Sequence, residues 1–385
     1  TIAALDGRFI PPGPGNSPDR NSASVPTGRN MFVMNPEEVP SRSSWEVGKM
    51  LADQFLADQL KKKGRYPEKV GFWLSPFETF HDYGVMESEI LYLIGVRPIW
   101  DNRNVVSEVE IIPVEELGRP RMDVFIVTEG LYNDMLPSRM QLIDKAIKTI
   151  AAMNEKGNAI YANTNRVRTE LEGAGLTPEK SAILSSARIF GYPPGERAQW
   201  AYWYFILRSG EWDTRQELVD AFLHWIKYVY TEGAWGEKAP EAFDRQILGT
   251  EVLVKSWSDR TTSPSSGSYF WSDAGSVALA VKHITGKEPE YILSDVHDPD
   301  HARLAQLEDA LREDYRVRLF NRKWIEGMMK EGFAGADQMG KHVFNALGWK
   351  IMRENSITDD MWMEIVDIYV HDKKNLNIRE WFDSV

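Results

Sequence analysis

Short apolar segments alternate with helical segments between residues 44 and 155, and this alternation restricts the fold more than any other feature of the chain. Residues 69–74, KVGFWL, and 124–127, VFIV, are almost entirely apolar, which is typical of strands buried on both faces. Further strands are predicted at 97–100 and 109–113, and helices at 45–63, 85–93 and 139–155. Strands separated by helical crossovers predict an α/β fold, an open and mostly parallel sheet with flanking helices.

Helical patterns dominate from residue 177 onward. The predicted helices are 198–207, 215–230, 240–255, 273–285 and 303–314. One short strand at 290–294 interrupts them, so we expect a helix-rich α+β region. The first 40 residues are rich in Pro and Gly and predict an extended arm that lies over a core. We therefore expect an arm (1–40), an α/β domain (41–176) and a helix-rich domain (177–385).

The composition excludes several classes of protein. The chain has 385 residues and no cysteine, which excludes disulfides, thiolate metal sites, iron–sulfur clusters and cysteine nucleophiles. A net charge of −12 argues against a general nucleic-acid surface. No apolar run approaches the roughly 20 residues of a membrane helix, and residues 1–30 do not resemble a signal peptide, so we expect a cytoplasmic protein. Because no G-x-x-x-x-G-K-[ST] loop is present, we expect this chain to bind no nucleotide.

Six blocks of residues follow one another along the chain in a distinctive order. They are LDGRFIPPGPG with PTGRN (5–15 and 26–30), WEVGK (45–49), GVRPIWD (95–101), ELGRPRMD (116–123), RIFGYPPG (188–195) and VRLFNRKWIEGMMKEGFAGADQMGKHVFNALGW (317–349). In sequence and order these blocks resemble the large subunits of the class II chelatases. That family includes the cobalt-inserting subunit of cobalamin synthesis, the magnesium chelatase H subunit and related haem-handling proteins.

The resemblance implies a tetrapyrrole ligand, which is a porphyrin, haem or corrinoid precursor, and a divalent metal ion (Co, Mg or Fe) that is inserted into it or removed from it. It also implies the C-terminal portion of a longer subunit, whose N-terminal remainder and AAA+ ATPase subunits are the expected partners. The chain is therefore expected to be part of a tetrapyrrole chelatase or dechelatase. Two alternatives stay open: a tetrapyrrole carrier without catalysis, and a scaffold fragment that docks partner subunits.

The loop at residues 75–83, which follows a predicted strand, is the first candidate site. Open parallel sheets bind ligands at the carboxyl ends of their strands, which also directs attention to the loops at 101–104 and 128–134. Metal insertion requires a base for the pyrrole protons, and Glu, Asp and His act as bases or transient metal ligands. Glu78 and His81 suit these roles, and His81 is also the candidate metal ligand. The structural alternative is that Glu78 caps the next helix and His81 is a solvated loop residue.

A second candidate site lies within residues 256–275, where Asp259 is a further catalytic candidate. An arginine near an aromatic cluster is suited to hold a ring carboxylate beside a stacked ring. The residues predicted to do so are Arg260, Tyr269, Phe270 and Trp271. The alternative is a helix N-terminus with its aromatic residues packed beneath it.

Two further arginines and four departures from the family pattern complete the predictions. Arg29 and Arg197 are candidate clamps for ring carboxylates, or else anchors for the arm and a loop. Relative to the family, the unusual residues are His81, Val85, Val127 and Asn133. These differences favour a divergent member, such as one that removes iron from haem, over routine cobalt or magnesium insertion.

Overall fold

A computed structural model describes residues 2–16, 18, 20–196, 199–208, 210–259 and 261–385. The strands are β1 (Gly13–Pro14), β2 (Asn30–Phe32), β3 (Lys69–Leu74), β4 (Val96–Trp100), β5 (Val106–Ile111), β6 (Asp123–Thr128), β7 (Ile189–Gly191), β8 (Tyr228–Thr231), β9 (Ala234–Lys238), β10 (Thr250–Trp257), β11 (Glu290–Asp295) and β12 (Arg303–Gln306).

The helices are α1 (Ile2–Leu5), α2 (Arg42–Lys63), α3 (Pro76–Asp82), α4 (Val85–Ile94), α5 (Val114–Leu117), α6 (Gly130–Met135), α7 (Pro137–Ala151), α8 (Ala159–Gly173), α9 (Pro178–Ser186), α10 (Gln199–Leu207), α11 (Arg215–Ile226), α12 (Pro240–Gln246), α13 (Gly275–Thr285), α14 (Leu307–Val317), α15 (Arg322–Lys330), α16 (Phe333–Met352), α17 (Asp359–Tyr369) and α18 (Ile378–Ser384). A π-helical turn at Phe270–Ala274 leads into α13. Short 3₁₀ turns lie at Ser22–Ser24, Pro36–Glu38 and Pro299–His301. None of the described helices is both long and apolar enough to span a membrane.

Within the described residues, eight strands form one twisted sheet in the order β12-β11-β10-β3-β6-β7-β8-β9. The five strands from β11 to β7 are parallel, while β12 pairs antiparallel with β11, β8 with β7, and β9 with β8. This arrangement confirms the predicted α/β fold with an open, mostly parallel sheet. Both faces of the central strands are covered, because every residue of β3 and of β6 is buried.

The order in which the chain adds strands to the sheet reverses at β3. From β3 it proceeds to β6 and β7 on one side, and it later returns to place β10 and β11 on the other side. The connections that leave β3 and β10 therefore diverge, and a crevice is expected between them at the carboxyl ends of these strands. Strands from before and after residue 176 belong to this one sheet. The domain boundary at that residue stays a prediction.

Several predicted elements differ from those observed. The strands predicted at 97–100 and 109–113 pair with each other as an antiparallel hairpin, β4–β5, outside the main sheet. The helix predicted at 240–255 ends at Gln246, and its second half belongs to the central strand β10. Gly249, with φ +80°, separates the two, because this left-handed conformation ends a helix and favours glycine. The predicted helix at 215–230 likewise includes most of β8, and the one at 303–314 includes the edge strand β12.

The glycines of the block at 317–349 allow its two helices to pack closely. A Cβ atom at Gly335 would lie 1.8 Å from the carbonyl oxygen of Met328 in α15, and one at Gly348 would lie 2.3 Å from the Trp271 ring. The neighbouring Trp349 is completely buried, and its indole N–H donates to the carbonyl of Pro264 at 2.8 Å. The block therefore holds α16 against the π-helical turn that contains Trp271.

Candidate functional site

A cavity of about 430 Å³ lies at the carboxyl ends of β3, β6 and β10. It is lined by Ser75, Phe77, Glu78, His81, Glu129, Leu131, Trp203, Asp259, Thr262, Ser268, Tyr269 and Ser272. The predicted residues Glu78 and His81 in α3 thus come together with Asp259 after β10, although α3 and Asp259 are far apart in the sequence. The cavity occupies the crevice beside β3 and β10 where an open α/β sheet binds its ligands.

Glu78 lies in the first turn of α3, and its carboxylate is almost completely buried. Ser75 caps this helix, since its hydroxyl accepts from the Phe77 N–H at 3.4 Å, so capping is not the role of the Glu78 side chain. The Glu78 carboxylate instead forms an ion pair with the ammonium group of Lys255 at 2.8 Å. Lys255 is 0% exposed in the middle of β10, so this pair is shielded from water.

His81 and Asp259 lie at facing ends of α3 and β10. The Nδ1 atom of His81 is 3.4 Å from the hydroxyl of Ser258, next to Asp259. Burial raises the pKa of Asp259, but hydrogen bonds from the N–H and hydroxyl of Thr261 and the hydroxyl of Thr262 outweigh it and lower the pKa overall. Asp259 is therefore a fixed anion at neutral pH, and its electrostatic interaction with His81 also lowers its pKa.

The three predicted aromatic residues occupy different environments. Tyr269 lines the cavity and stacks on Phe270 with ring centroids 4.7 Å apart. Phe270 and Trp271 are completely buried, and the Trp271 indole donates to Asn345 in α16 at 2.7 Å. These two side chains pack beneath the segment, as the structural alternative expected, because the π-helical turn directs them into the core. Trp203 and Phe77 line the cavity beside Tyr269.

Three ionisable residues at the site did not stand out in the sequence. Lys255 fell within a predicted helix, although a lysine inside the apolar run VLVKSW is a detectable signal. Glu129 lies in the loop after β6, one of the expected ligand-binding loops, and lines the cavity. Asp273 is buried next to Ser272, whose hydroxyl donates to it at 3.0 Å. Burial and the negative charge of Glu129 raise the pKa of Asp273 well above its usual value.

A second group of carboxyls is buried behind α3. Asp82 accepts hydrogen bonds from the N–H groups of Gly84 and Val85 and from the Ser256 hydroxyl, while burial raises its pKa to about 7. Burial also raises the pKa of Glu87, and it raises the pKa of Glu89 to about 8. These carboxyls face the protein interior and do not line the cavity.

The remaining predicted residues lie apart from the cavity or outside the described residues. Arg29 is exposed on the arm, where its carbonyl accepts from the Gly13 N–H at 2.6 Å. Arg197 and Arg260 lie outside the residues that the structure describes. Across the described part of the chain, no cluster of three or more His, Cys, Asp or Glu residues has the arrangement of a metal site.

A somewhat larger cavity, about 480 Å³, lies at the free edge of the sheet between α2, β12 and α14. Its lining includes Trp257 and His297 but none of Glu78, His81 and Asp259. We place the candidate site in the smaller cavity because the smaller cavity gathers the acid, base and aromatic groups at the crevice of the sheet.

Comparisons with known proteins agree with this architecture. A family model described as CobN/Magnesium Chelatase matches residues 1–385. An uncharacterized protein of Methanocaldococcus jannaschii is 34% identical to this chain over 378 residues, which cover 97% of this chain and 30% of that protein. The aerobic cobaltochelatase subunit CobN of Sinorhizobium sp is 30% identical over 346 residues, which cover 89% of this chain and 27% of that subunit.

A solved structure, the catalytic subunit of cobaltochelatase from Mycobacterium tuberculosis, superimposes with a TM-score of 0.88 at 29% sequence identity. The match covers 99% of this chain and 32% of that subunit. The chain therefore spans about 30% of the length of the curated relatives that it matches.

Proposed function

Because the chain belongs to the CobN/magnesium chelatase family, we propose that its cavity binds a tetrapyrrole and exchanges the central metal of the ring. The observation that carries this proposal is the convergence of Glu78, His81 and Asp259 on one cavity at the crevice of the sheet. The aromatic side chains of Tyr269, Trp203 and Phe77 in the same lining suit a flat apolar ring.

Metal insertion replaces two pyrrole N–H protons by one divalent ion and releases both protons. We assign the proton-accepting role to Glu78, and we assign transient binding of the incoming ion to His81 and Asp259. Asp259 is anionic at neutral pH and thus attracts a cation. Metal removal uses the same groups in reverse, with two protons delivered to the ring nitrogens as the ion leaves.

Lys255 has a supporting role in this scheme. Its ammonium group is 2.8 Å from Glu78 and lies over the Tyr269 ring at 5.4 Å from the centroid. It therefore fixes the Glu78 carboxylate beside the aromatic lining and partly neutralises the buried charge. Arg29, Arg197 and Arg260 stay predicted partners for the carboxylates at the rim of the ring.

Experiment decides which metal is exchanged and whether it is inserted into the ring or removed from it. Of the positions that differ from the family pattern, Val85, Val127 and Asn133 are buried and do not line the cavity, while His81 does. Of these four residues, His81 alone is placed to favour the removal of iron from haem. We further propose that the rest of a longer subunit and AAA+ ATPase subunits are partners in the reaction.

A spectral titration tests the proposal. The purified chain is titrated anaerobically with metal-free porphyrin, with a cobalt-free corrinoid precursor and with haem, and the Soret band is followed where the ring has one. We expect saturable binding, and we expect His81→Ala to remove the haem-specific part of the spectral change. Glu78→Gln and Asp259→Asn should leave the ring bound but slow metal exchange at least tenfold, about 1.4 kcal/mol of barrier.

The matched controls are His301→Ala and Glu232→Gln, whose side chains are 80% and 90% exposed. Equal losses in the controls and the site variants would contradict the assignment. Ring binding without any metal exchange, in the presence of partner subunits, would identify a carrier. No saturable binding by the wild-type chain would contradict the proposal and favour a scaffold.

A further inference from the structure

Two side chains of the N-terminal arm hold the backbone at the candidate site. The Nδ2 atom of Asn16 donates to the carbonyl of Phe80 at 2.5 Å, and Nη2 of Arg20 donates to the carbonyl of Ser258 at 2.7 Å. Phe80 directly precedes His81, and Ser258 directly precedes Asp259. The arm thus contacts both segments that carry the proposed metal-binding residues.

Arg20 also joins two neighbouring strands of the sheet. The same Nη2 atom lies 2.8 Å from the carbonyl of Val296 and 3.2 Å from that of His297. These carbonyls follow β11, whereas the carbonyl of Ser258 follows β10. One guanidinium group therefore satisfies three carbonyls at the carboxyl ends of both strands. Hydrogen bonds from a charged donor are stronger than those between neutral groups, so Arg20 binds these carbonyls strongly.

The arm reaches the site through a constrained backbone. Asn16 has φ +90°, a left-handed conformation that residues other than glycine rarely adopt. Just before it, the Gly15 N–H donates to the carbonyl of Phe32, which fixes the arm to its own strand β2. Asn16 keeps this left-handed conformation, which Asn tolerates better than most residues, and its amide faces α3 through the hydrogen bond to Phe80.

His81 lines two cavities of the protein. It lines the site cavity, and it also lines a smaller cleft of about 230 Å³ together with Arg20 and Asp82. The arm residue Arg20 therefore lines a cleft that shares His81 with the site cavity. A shift of the arm would alter both the end of α3 and the end of β10.

We infer that the arm acts as a strap in which Asn16 and Arg20 are positioning residues that set the placement of His81 relative to Asp259. This inference rests on the proposed function of the cavity. It assigns no chemical step to the arm itself, because neither side chain lines the cavity.

Hydrogen exchange, measured by mass spectrometry on the ligand-free chain, tests the strap without any ring. Asn16→Gly removes the amide and keeps a backbone that tolerates φ +90°, and Arg20→Gln removes the charge. We expect exchange in peptides covering residues 78–84 and 256–262 to accelerate about tenfold, as loss of a charge-assisted hydrogen bond predicts. The matched control is Arg8→Gln, an exposed arm residue that pairs with Asp6. Exchange rates at the site equal to those of the control would overturn the strap.

Ring affinity then separates positioning from simple anchoring. Where the wild-type chain binds haem, both strap variants should lose about tenfold in affinity together with the His81-dependent spectral change. Arg20→Lys, which keeps the charge and part of the donor set, should recover some of the loss. Faster exchange with unchanged haem affinity and spectrum would overturn the positioning role. Absence of wild-type ring binding would instead contradict the proposed function, and the exchange result alone would then decide whether the strap exists.

Discussion

At the residue scale, the pair formed by Glu78 and Lys255 is the charged feature most deeply buried at the site. The two side chains are 5% and 0% exposed, so neither charge is compensated by bulk water. Removing one partner leaves the other charge buried alone, which is more unfavourable than removing both. The pair therefore affects both the stability of the fold and the position of Glu78 in the cavity.

We predict that Lys255→Met destabilises the protein by about 3–5 kcal/mol, measured by urea denaturation. The double variant Glu78→Gln/Lys255→Met should lose clearly less than the sum of the two single variants, because no isolated charge remains. Lys180→Met, which removes a partner of Glu237 at the surface, is the matched control and should change stability by at most about 1 kcal/mol. Additive losses in the double variant would show that the two charges do not depend on each other.

Part of the site could be predicted from single residues. Glu78, His81 and Asp259 follow strands, and the rule for parallel sheets brings such positions to one edge. Lys255 could not be found in the same way, because its contribution depends on where β10 lies in the sheet. The burial of Phe270 and Trp271 agrees with the structural alternative stated for this segment, but the π-helical turn and the contact with α16 that bury them are visible only in the fold.

At the element scale, α16 packs closely at Gly348 on the π-helical turn behind the cavity. A Cβ atom at Gly348 would lie 2.3 Å from the Trp271 ring, which is itself fixed by its bond to Asn345. We predict that Gly348→Ala destabilises the protein by about 1–3 kcal/mol, because the fully buried ring has no space into which it can move. Urea denaturation followed by tryptophan fluorescence measures the effect.

Gly340→Ala in the same helix is the matched control. No atom lies within 4 Å of a Cβ at this position, so the substitution should be neutral or stabilise by up to about 1 kcal/mol through helix propensity. A loss of stability of equal size in both variants would show that glycine flexibility, and not the contact with Trp271, accounts for the effect.

Elements with a strong single pattern were predicted better than elements that change type within a few residues. The strands β3, β6 and β11 were predicted because each is a short apolar run between turn residues. The central strand β10 was predicted as helix because it follows the helix-forming residues of α12 directly, with Gly249 as the one local signal of the change. Apolar periodicity alone does not distinguish a buried strand from a buried helix over so few residues.

At the scale of the whole molecule, the arm, the sheet and the C-terminal helices all converge on one site. The arm holds the ends of α3 and β10, and α16 supports the turn next to Tyr269. This convergence follows from contacts between residues more than 200 positions apart, such as Arg20 and Ser258, which no local pattern contains. The family blocks cover parts of the arm and of α16, but Asn16, Arg20, α3 and β10 lie outside every block, and the contacts are visible only in the fold.

Several buried carboxyls determine how the stability of the whole molecule depends on pH. Burial raises the pKa of Asp82 to about 7 and that of Glu89 to about 8, and it also raises the pKa of Glu87. Between the usual carboxyl pKa and these raised values, the folded protein holds protons that the unfolded chain has released. Stability must therefore fall as the pH rises through this window and level off above it.

We predict that the free energy of unfolding decreases from pH 5 to pH 8.5, and that Glu89→Gln removes part of this decrease. The amide preserves the shape of the protonated carboxyl and cannot ionise, so the variant should gain on the order of 3 kcal/mol relative to the wild type between the two pH values. Urea denaturation at both pH values measures this difference. Glu232→Gln changes the net charge of −12 by the same amount at an exposed position, so it controls for general charge repulsion. If both variants respond to pH equally, repulsion across the molecule explains the slope; if only Glu89→Gln flattens it, the buried carboxyl does.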